Sequence, residues 1–307
     1  MADIHDKITE LGLEVVRDNA ASKNERTVAG IAAALLTDEL GEMGVSHSGF
    51  ALTSLPHKAV IEPLWIKEGH KVTLHIESGR SIEGDHIGVP YGSKARMILL
   101  YLQTEALKTN SPEIELGKSM HAWLSRMGVP IGGATYKLIS EQSRRISACR
   151  LTFFRELEGS KENARMNGAF VDVEIPMHTV RDADQLSLWQ ETVRLNDRFF
   201  QSLKDHAIPL RDEALRQLSN KSLSLDVYIW LAYRLHSLQQ PTSVSWAALY
   251  RQFGGGYRYV RQFRPKFKEA LQFALAAYPE AKVSVEEEGI RLFQSRPPVN
   301  KRVYALS

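Results

Sequence analysis

Only one cysteine, Cys149, occurs in the 307 residues. An internal disulfide and a cysteine-rich zinc site are therefore excluded, which suits a chain kept in a reducing cytoplasm. Long apolar runs are missing too. The longest, around Met97–Leu102, falls far short of the roughly 20 residues that span a bilayer, so no membrane partner is expected. The start, Met1-Ala2-Asp3-Ile4-His5-Asp6, has neither the basic stretch nor the apolar core of a signal peptide. A strong excess of one charge is also absent. The net charge is +3, and that balance alone names no partner.

Catalytic signatures are equally scarce. Gly117-Lys118-Ser119 imitates the end of a phosphate-binding loop, but Pro112 stands where that motif needs glycine. The chain has no Gly-x-Ser-x-Gly and no His-Glu-x-x-His. No two histidines bracket a single apolar residue, as a metal-dependent tyrosine nickase would require. Asp182-x-Asp184 lacks a third acidic partner and reads as a loop or cap. The histidines are scattered, and His57 and His121 read as core-edge residues. A primase or nuclease would need an acidic metal cluster. The expectation is a protein that is not an enzyme, with no cofactor and no metal.

What is present is an ordinary globular mix, 43% apolar and 24% charged, long enough for about two domains. The charge is unevenly spread. Residues 1–45 hold nine acids and four bases, residues 117–155 seven bases and one acid, and residues 251–268 six bases and no acid. Basic clusters of this kind are the footprint of a phosphate-binding surface.

Hydrophobic spacing predicts amphipathic helices over 4–19 and 25–43, the second capped by Asn24 or Thr27. Phe50-Ala51-Leu52-Thr53 and Val72-Thr73-Leu74-His75-Ile76 alternate like strands. An apolar helix over Lys94–Leu107 precedes the short extended piece Glu113–Leu116. A short helix over Lys118–Met127 ends at Gly128. A turn then leads into a longer basic helix, Ala134–Cys149. The strands Arg150–Phe154 and Gly168–Ile175 follow, joined by a polar loop. This is the element order of a winged helix-turn-helix.

The order recurs. A helix over Ser224–Leu238, an extended Ser243–Trp246 and a short helix Ala247–Phe253 lead to Gly254-Gly255-Gly256. A longer basic segment, Tyr257–Tyr278, precedes the strands Ala281–Val285 and Ile290–Gln294. Ala122–Gly128 can be laid on Ala248–Gly254, and each segment runs into a glycine-rich turn and a basic helix with an early tyrosine. The expected fold is α+β, mainly α. It comprises two tandem winged-helix domains with an N-terminal helical extension: 1–47 the extension, 48–206 the first domain, 207–300 the second and 301–307 a tail.

A helix that reads DNA must neutralise phosphates and offer donors to base edges, and the arginine fork does both. The candidates on the first basic helix are Thr135, Tyr136, Lys137, Ser140, Arg144 and Arg145. Lys137, Ser140 and Arg144 share one helical face, while Leu138, Ile139 and Ile146 would face the core. The candidates on the second are Tyr257, Arg258, Arg261, Arg264, Lys266 and Lys268, backed by Val260, Phe263 and Phe267. The bland alternative in both cases is a solvated charged face. Pro265 is tolerated only in a first helical turn, so this second helix is expected to start nearer Arg264. The acidic tip Glu286-Glu287-Glu288 argues against a close grip on the backbone by the second wing. Trp123, Trp230 and Trp246 read as core.

Gly88-Val89-Pro90-Tyr91-Gly92-Ser93, Leu102-Gln103-Thr104-Glu105-Ala106 and Ile114-Glu115-Leu116-Gly117 together resemble the plasmid-encoded RepA family of replication initiators. Leu55-Pro56-His57-Lys58, Leu225–Arg234, Trp246-x-x-Leu249-x-x-Gln252-Phe253-Gly254, Tyr278–Ala281 and Pro297-Pro298-Val299 fit in the same order. The likeness spans about 48–300. It implies binding of double-stranded DNA at repeated origin sites (iterons), local melting, and recruitment of host replication proteins, a helicase or an initiator. It also implies roles in plasmid replication and copy control, and a switch between monomer and homodimer. No catalytic residues carry over. Two recognition helices on one DNA face would cover a site of about 20 bp. The rival within the same fold is a winged-helix transcriptional repressor acting as a dimer on an inverted repeat.

Overall fold

A computed structural model describes residues 4–38, 41–156, 163–171 and 192–299. The loop 157–162, the end of the strand expected over Gly168–Ile175, Asp182, Asp184 and the tail 301–307 lie outside the described residues. In chain order the elements begin with α1 (Ile4–Leu11), α2 (Leu13–Asp18), α3 (Lys23–Leu36), β1 (Met43–His47), α4 (Ser48–Leu52), β2 (Leu64–Glu68), β3 (Val72–Glu77) and α5 (Gly92–Lys108). Next come β4 (Glu113–Glu115), α6 (Met120–Arg126), α7 (Gly133–Ala148), β5 (Arg150–Glu156), β6 (Asn163–Ala169), β7 (Thr192–Arg194) and α8 (Asp197–His206). The last are β8 (Ala207–Arg211), α9 (Asp212–Leu218), α10 (Ser222–Leu235), β9 (Thr242–Ser245), α11 (Trp246–Phe253), α12 (Val260–Ala276), β10 (Val283–Val285) and β11 (Gly289–Leu292). The result is α+β and mainly helical. Among the described residues no helix is long and apolar enough to cross a membrane.

The chain divides into two compact units. One is contiguous, residues 52–207; the other is split, residues 1–51 with 208–307. The boundaries expected from sequence were 47/48 and 206/207. The larger difference is the place of the N-terminal helices. Their apolar stripe Ala29, Ile31, Ala32 and Leu35 is buried, and α3 packs on α9 and α12. His5 reaches the Ala276 carbonyl at 2.9 Å. A stripe that must leave water found its cover in residues distant in sequence.

Local expectations in this region needed correction. The helix expected over 4–19 breaks at Gly12, which takes φ +82°, a conformation open to glycine. The helix expected over 25–43 begins earlier, is capped by Ser22 and ends at Leu36. The Ser22 hydroxyl accepts the Glu25 N–H at 3.2 Å, and the Glu25 carboxylate accepts the Ala21 N–H at 2.7 Å. These two bonds satisfy donors that the first turn leaves open. Thr27 instead donates to the Lys23 carbonyl within the helix. Phe50–Thr53, expected as a strand, falls largely in α4. Phe50, Ala51, Leu52 and Thr53 are all buried, so the alternation marked no exposed face.

In the contiguous unit, β2-β3-β5-β6 form an antiparallel sheet. The second wing strand begins earlier than expected: β6 starts at Asn163, with Arg150 opposite Ala169 and Glu156 opposite Asn163. The helix α5 is the buried spine, with Ile98, Leu102 and Ala106 wholly covered, and α7 packs along it. The short strand β4 pairs with β7, not with the wing hairpin. In the split unit the sheet order is β10-β11-β9, so β9 does join its hairpin. There α10 packs on α12. A run of aromatic rings, Trp246, Phe267, Phe253 and Trp230, fills the core with centroids 5.5–6.1 Å apart, inside the range that favours tilted and edge contacts.

Candidate nucleic-acid interface

The helix α7 starts at Gly133, and Gly132 before it offers no side-chain cap. Its core side is Ile139, Gln142, Ser143 and Ile146. Leu138, expected in the core, is 41% exposed, because it sits about 100° round the helix from Ile139. Lys137 and Arg144 stand in solvent with Ser140 half-buried between them, so the basic face drawn from spacing is formed. Thr135 and Tyr136 are half-buried at the first turn. The Tyr136 hydroxyl lies 3.3 Å from His121 Nδ1 on α6, which places exposed His121 beside the start of the basic helix.

Arg145 differs from its neighbour. Only 17% of its side chain is exposed, and it pairs with Glu141 at 2.9 Å. It donates to the Val89 carbonyl at 3.0 Å and covers the Tyr91 ring, its guanidinium carbon 5.0 Å from the centroid. Tyr91 is held from two more sides: its N–H donates to the Gln142 side-chain carbonyl at 2.8 Å, and its hydroxyl lies 3.3 Å from Glu141. Burial, then the Glu141 charge, push the Tyr91 hydroxyl pKa up. Arg145 thus seats the Gly88–Tyr91 segment on α7 and points away from solvent.

The helix α12 begins at Val260 after Tyr259, four residues before the start expected at Arg264. Pro265 lies inside it. Proline cannot donate there, and the missing bond costs stability. Phe263 and Phe267 flank the proline and are wholly buried, with rings 5.3 Å apart. Phe263 also meets Tyr250 and Tyr257, at 5.6 and 5.7 Å. Apolar anchors on both sides of Pro265 hold the turn helical.

Arg258, Arg261, Arg264, Lys266 and Lys268 are all exposed. Two rings support most of them. Arg258 and Arg261 lie over Tyr259 at 5.3 and 4.9 Å, and Arg264 and Lys268 over Trp246 at 5.4 and 5.5 Å. Such contacts align the cations without neutralising them. Lys266 is paired with Glu269 at 3.2 Å. Tyr257 is half-buried against Phe263, and burial raises its hydroxyl pKa, so it serves packing. The ring that faces outward is Tyr259, 42% exposed. From sequence, Tyr257 and Tyr259 were expected to stack or reach phosphate, with at least one of them buried, and Trp246 to be core; Tyr257 is the packed one, and Trp246 is buried beneath the cations it meets. The signal for Tyr259 was local, an aromatic between Arg258 and Arg261, whereas the pairing of Trp246 with Arg264 and Lys268 joins positions about 20 residues apart.

The second wing is tied to the same tryptophan. Trp246 donates its backbone N–H to the Glu288 carbonyl at 3.0 Å and its indole N–H to the Glu287 carbonyl at 2.8 Å. Glu286, Glu287 and Glu288 are exposed, with Glu286 3.8 Å from Arg291. Among the described residues no group of three or more histidine, cysteine, aspartate or glutamate side chains is placed to hold a metal ion.

The mixed, mainly helical fold with two basic helices has a counterpart among solved structures. It is similar to the crystal structure of domains 2 and 3 of RctB, with a TM-score of 0.53 at 12% identity, covering 83% of this chain and 99% of that one. A second crystal structure of the same RctB domains aligns with a TM-score of 0.45 at 12% identity, over 79% and 93% of the two chains. No curated protein sequence matches the chain. The model of the plasmid-encoded RepA protein family matches residues 89–247. The chain belongs to that family.

Proposed function

We propose that this protein is a plasmid replication initiator that binds repeated double-stranded sites at the origin through two winged-helix units, without chemistry of its own. One observation carries the reading: the same succession of elements appears in both units and includes a helix with solvent-facing cations. In the contiguous unit it is α5, β4, α6, α7, β5 and β6; in the split unit it is α10, β9, α11, α12, β10 and β11. The helices α7 and α12 are the recognition helices. Lys137, Ser140 and Arg144 of α7 contact DNA, as do Arg258, Arg261, Arg264 and Lys268 at α12. Thr135, Tyr136 and Lys266 lie at the margins of these faces. Arg145 and Tyr257 shape the helices that do the binding.

Phosphate neutralisation releases counterions, so affinity falls steeply with salt. The effect on the origin is mechanical: bent duplex next to an A·T-rich segment is the easiest to open. Host replication proteins then take over the opened strands, and a homodimer is the form held in reserve. Footprinting on DNA flanking the coding region tests the reading. Protection of direct repeats, each about 20 bp and contacted on one face of the duplex, is the expected result. Protection of a lone palindrome over the promoter would replace initiation with repression, and primer synthesis or nicking with Mg²⁺ would overturn the non-catalytic assignment.

A further inference from the structure

Residues 79–88 form a small hairpin on the contiguous unit whose tip has no part in the proposed function. Arg80 and His86 bridge across its base. The Ser81 N–H donates to the Asp85 carbonyl at 2.8 Å, and the Gly84 N–H to the Ser81 carbonyl at 3.0 Å. Gly84 takes φ +90° in open space, the left-handed position that a three-residue hairpin loop needs. The Arg80 guanidinium closes the side of the turn, donating to the Gly84 carbonyl at 2.7 Å. A turn tied this often has little freedom to lose on binding. Ile82 stands at its corner, fully exposed.

A single exposed isoleucine is ordinary on a surface; its position is the informative part. The hairpin is built against the C-terminal half of α7. A Cβ at Gly79 would lie 2.3 Å from the Ala148 carbonyl oxygen, and one at Gly88 2.3 Å from an Arg145 guanidinium nitrogen. Both glycines permit an approach that any side chain would block. The carboxyl pKa of Glu83, the residue after Ile82, is lowered, first by Ser81 and its own backbone and then by the charge of Arg144. The hairpin that carries Ile82 therefore lies against the C-terminal end of α7, the helix that also carries Lys137, Ser140 and Arg144.

We propose that Ile82 is a wedge against the DNA held by α7, pressing on a base step next to the segment that the helix occupies and kinking the duplex there. This rests on the reading of α7 as a DNA-binding helix. Rigid apolar side chains inserted at a base step unstack it and bend the duplex. The carboxylates Glu83 and Asp85 oppose a phosphate clamp, which leaves the isoleucine to meet the DNA at the tip.

The test uses the full chain and the duplex defined by footprinting. Base opening is read by 2-aminopurine placed at successive steps, and bending by circularly permuted fragments in a gel. Ile82→Ala should keep affinity within about threefold, because removing the wedge also spares the cost of unstacking the bases. The same variant should lose most of the fluorescence signal and of the bend. Glu83→Gln should bind more tightly with the distortion intact. If Ile82→Ala distorts the duplex as the parent does, or the bound parent distorts nothing beside α7, the wedge is wrong and the α7 reading stands. If the parent fails to protect any flanking duplex, the wedge falls together with the reading beneath it.

Discussion

Arg258, Arg261, Arg264, Lys266 and Lys268 all reach solvent along α12 and its lead-in, whereas Lys137 and Arg144 are the exposed cations among the α7 candidates. The helices also differ in what supports them. A continuous aromatic core backs α12, and two rings align four of its cations. In α7 the core side is aliphatic and polar, and Arg145 binds the protein's own Val89 and Tyr91. A count of basic residues along a helix therefore overstates its capacity for phosphate wherever one of them is satisfied internally. The two wings differ as well. That of the split unit ends in exposed carboxylates, so on the proposed reading its helix supplies most of the attraction to phosphate.

The largest expected effect lies in the support of α12 by α3. Ile31 is 2% exposed, and Ile31→Ala should cost the split unit about 2–5 kcal/mol. Hydrogen exchange should show lost protection in α12 and little change in α7. Unaltered protection in α12 would mean that the N-terminal helices do not stabilise it. Next comes the double change Arg261→Ala with Arg264→Ala. It should weaken DNA binding about 30-fold or more at moderate salt and lower the salt slope by roughly 0.9 for each phosphate no longer neutralised. The thermal midpoint should stay put, since both side chains are exposed. Unchanged affinity in a gel shift would remove α12 from the interface.

A smaller effect separates two adjacent arginines. Arg144→Ala should leave stability within about 0.5 kcal/mol and reduce binding. Arg145→Ala should cost about 1–3 kcal/mol, because the Val89 carbonyl loses its charged donor. Its effect on binding should be rescued by conditions that restore folding. Equal behaviour of the two variants in denaturant titration would erase the difference argued for α7. The smallest effect uses Cys149, where burial pushes the thiol pKa up to about 12. The thiolate is the reactive form, so the native protein should resist an aromatic disulfide reagent at pH 8 and react once denatured. Fast labelling without denaturant would show that the end of α7 opens readily.

Much of the fold could be read from residue order. The helices α5, α6, α7, α10 and α11 lie close to where apolar spacing and glycine stops place them, as do the strands β3, β4 and β9. These elements have local signals: a long apolar run, a glycine after the last helical residue, alternation on one face. The misreadings share a cause. Phe50–Thr53 is buried on every side, so alternation meant nothing there. Pro265 read as a helix start because the rule for proline is local, while the force that keeps α12 helical comes from Phe263 and Phe267 in the core. Arg145 and Arg144 are indistinguishable in sequence, and a hydrogen bond to Val89, 56 positions away, decides between them.

By itself the sequence determined the succession of elements, its repetition, the positions of the basic clusters, the absence of disulfides and the family likeness. Each of these depends on nearest neighbours in the chain or on composition. Tertiary structure alone decided that residues 4–36 pack with α12 in the split unit, that β4 pairs with β7, that Tyr259 and Trp246 lie under the cations, and that the 79–88 hairpin sits against the C-terminal half of α7. Those outcomes depend on which surfaces can leave water together and which buried donors find acceptors. Both are properties of distant residues brought within a few ångströms, and no local pattern encodes them.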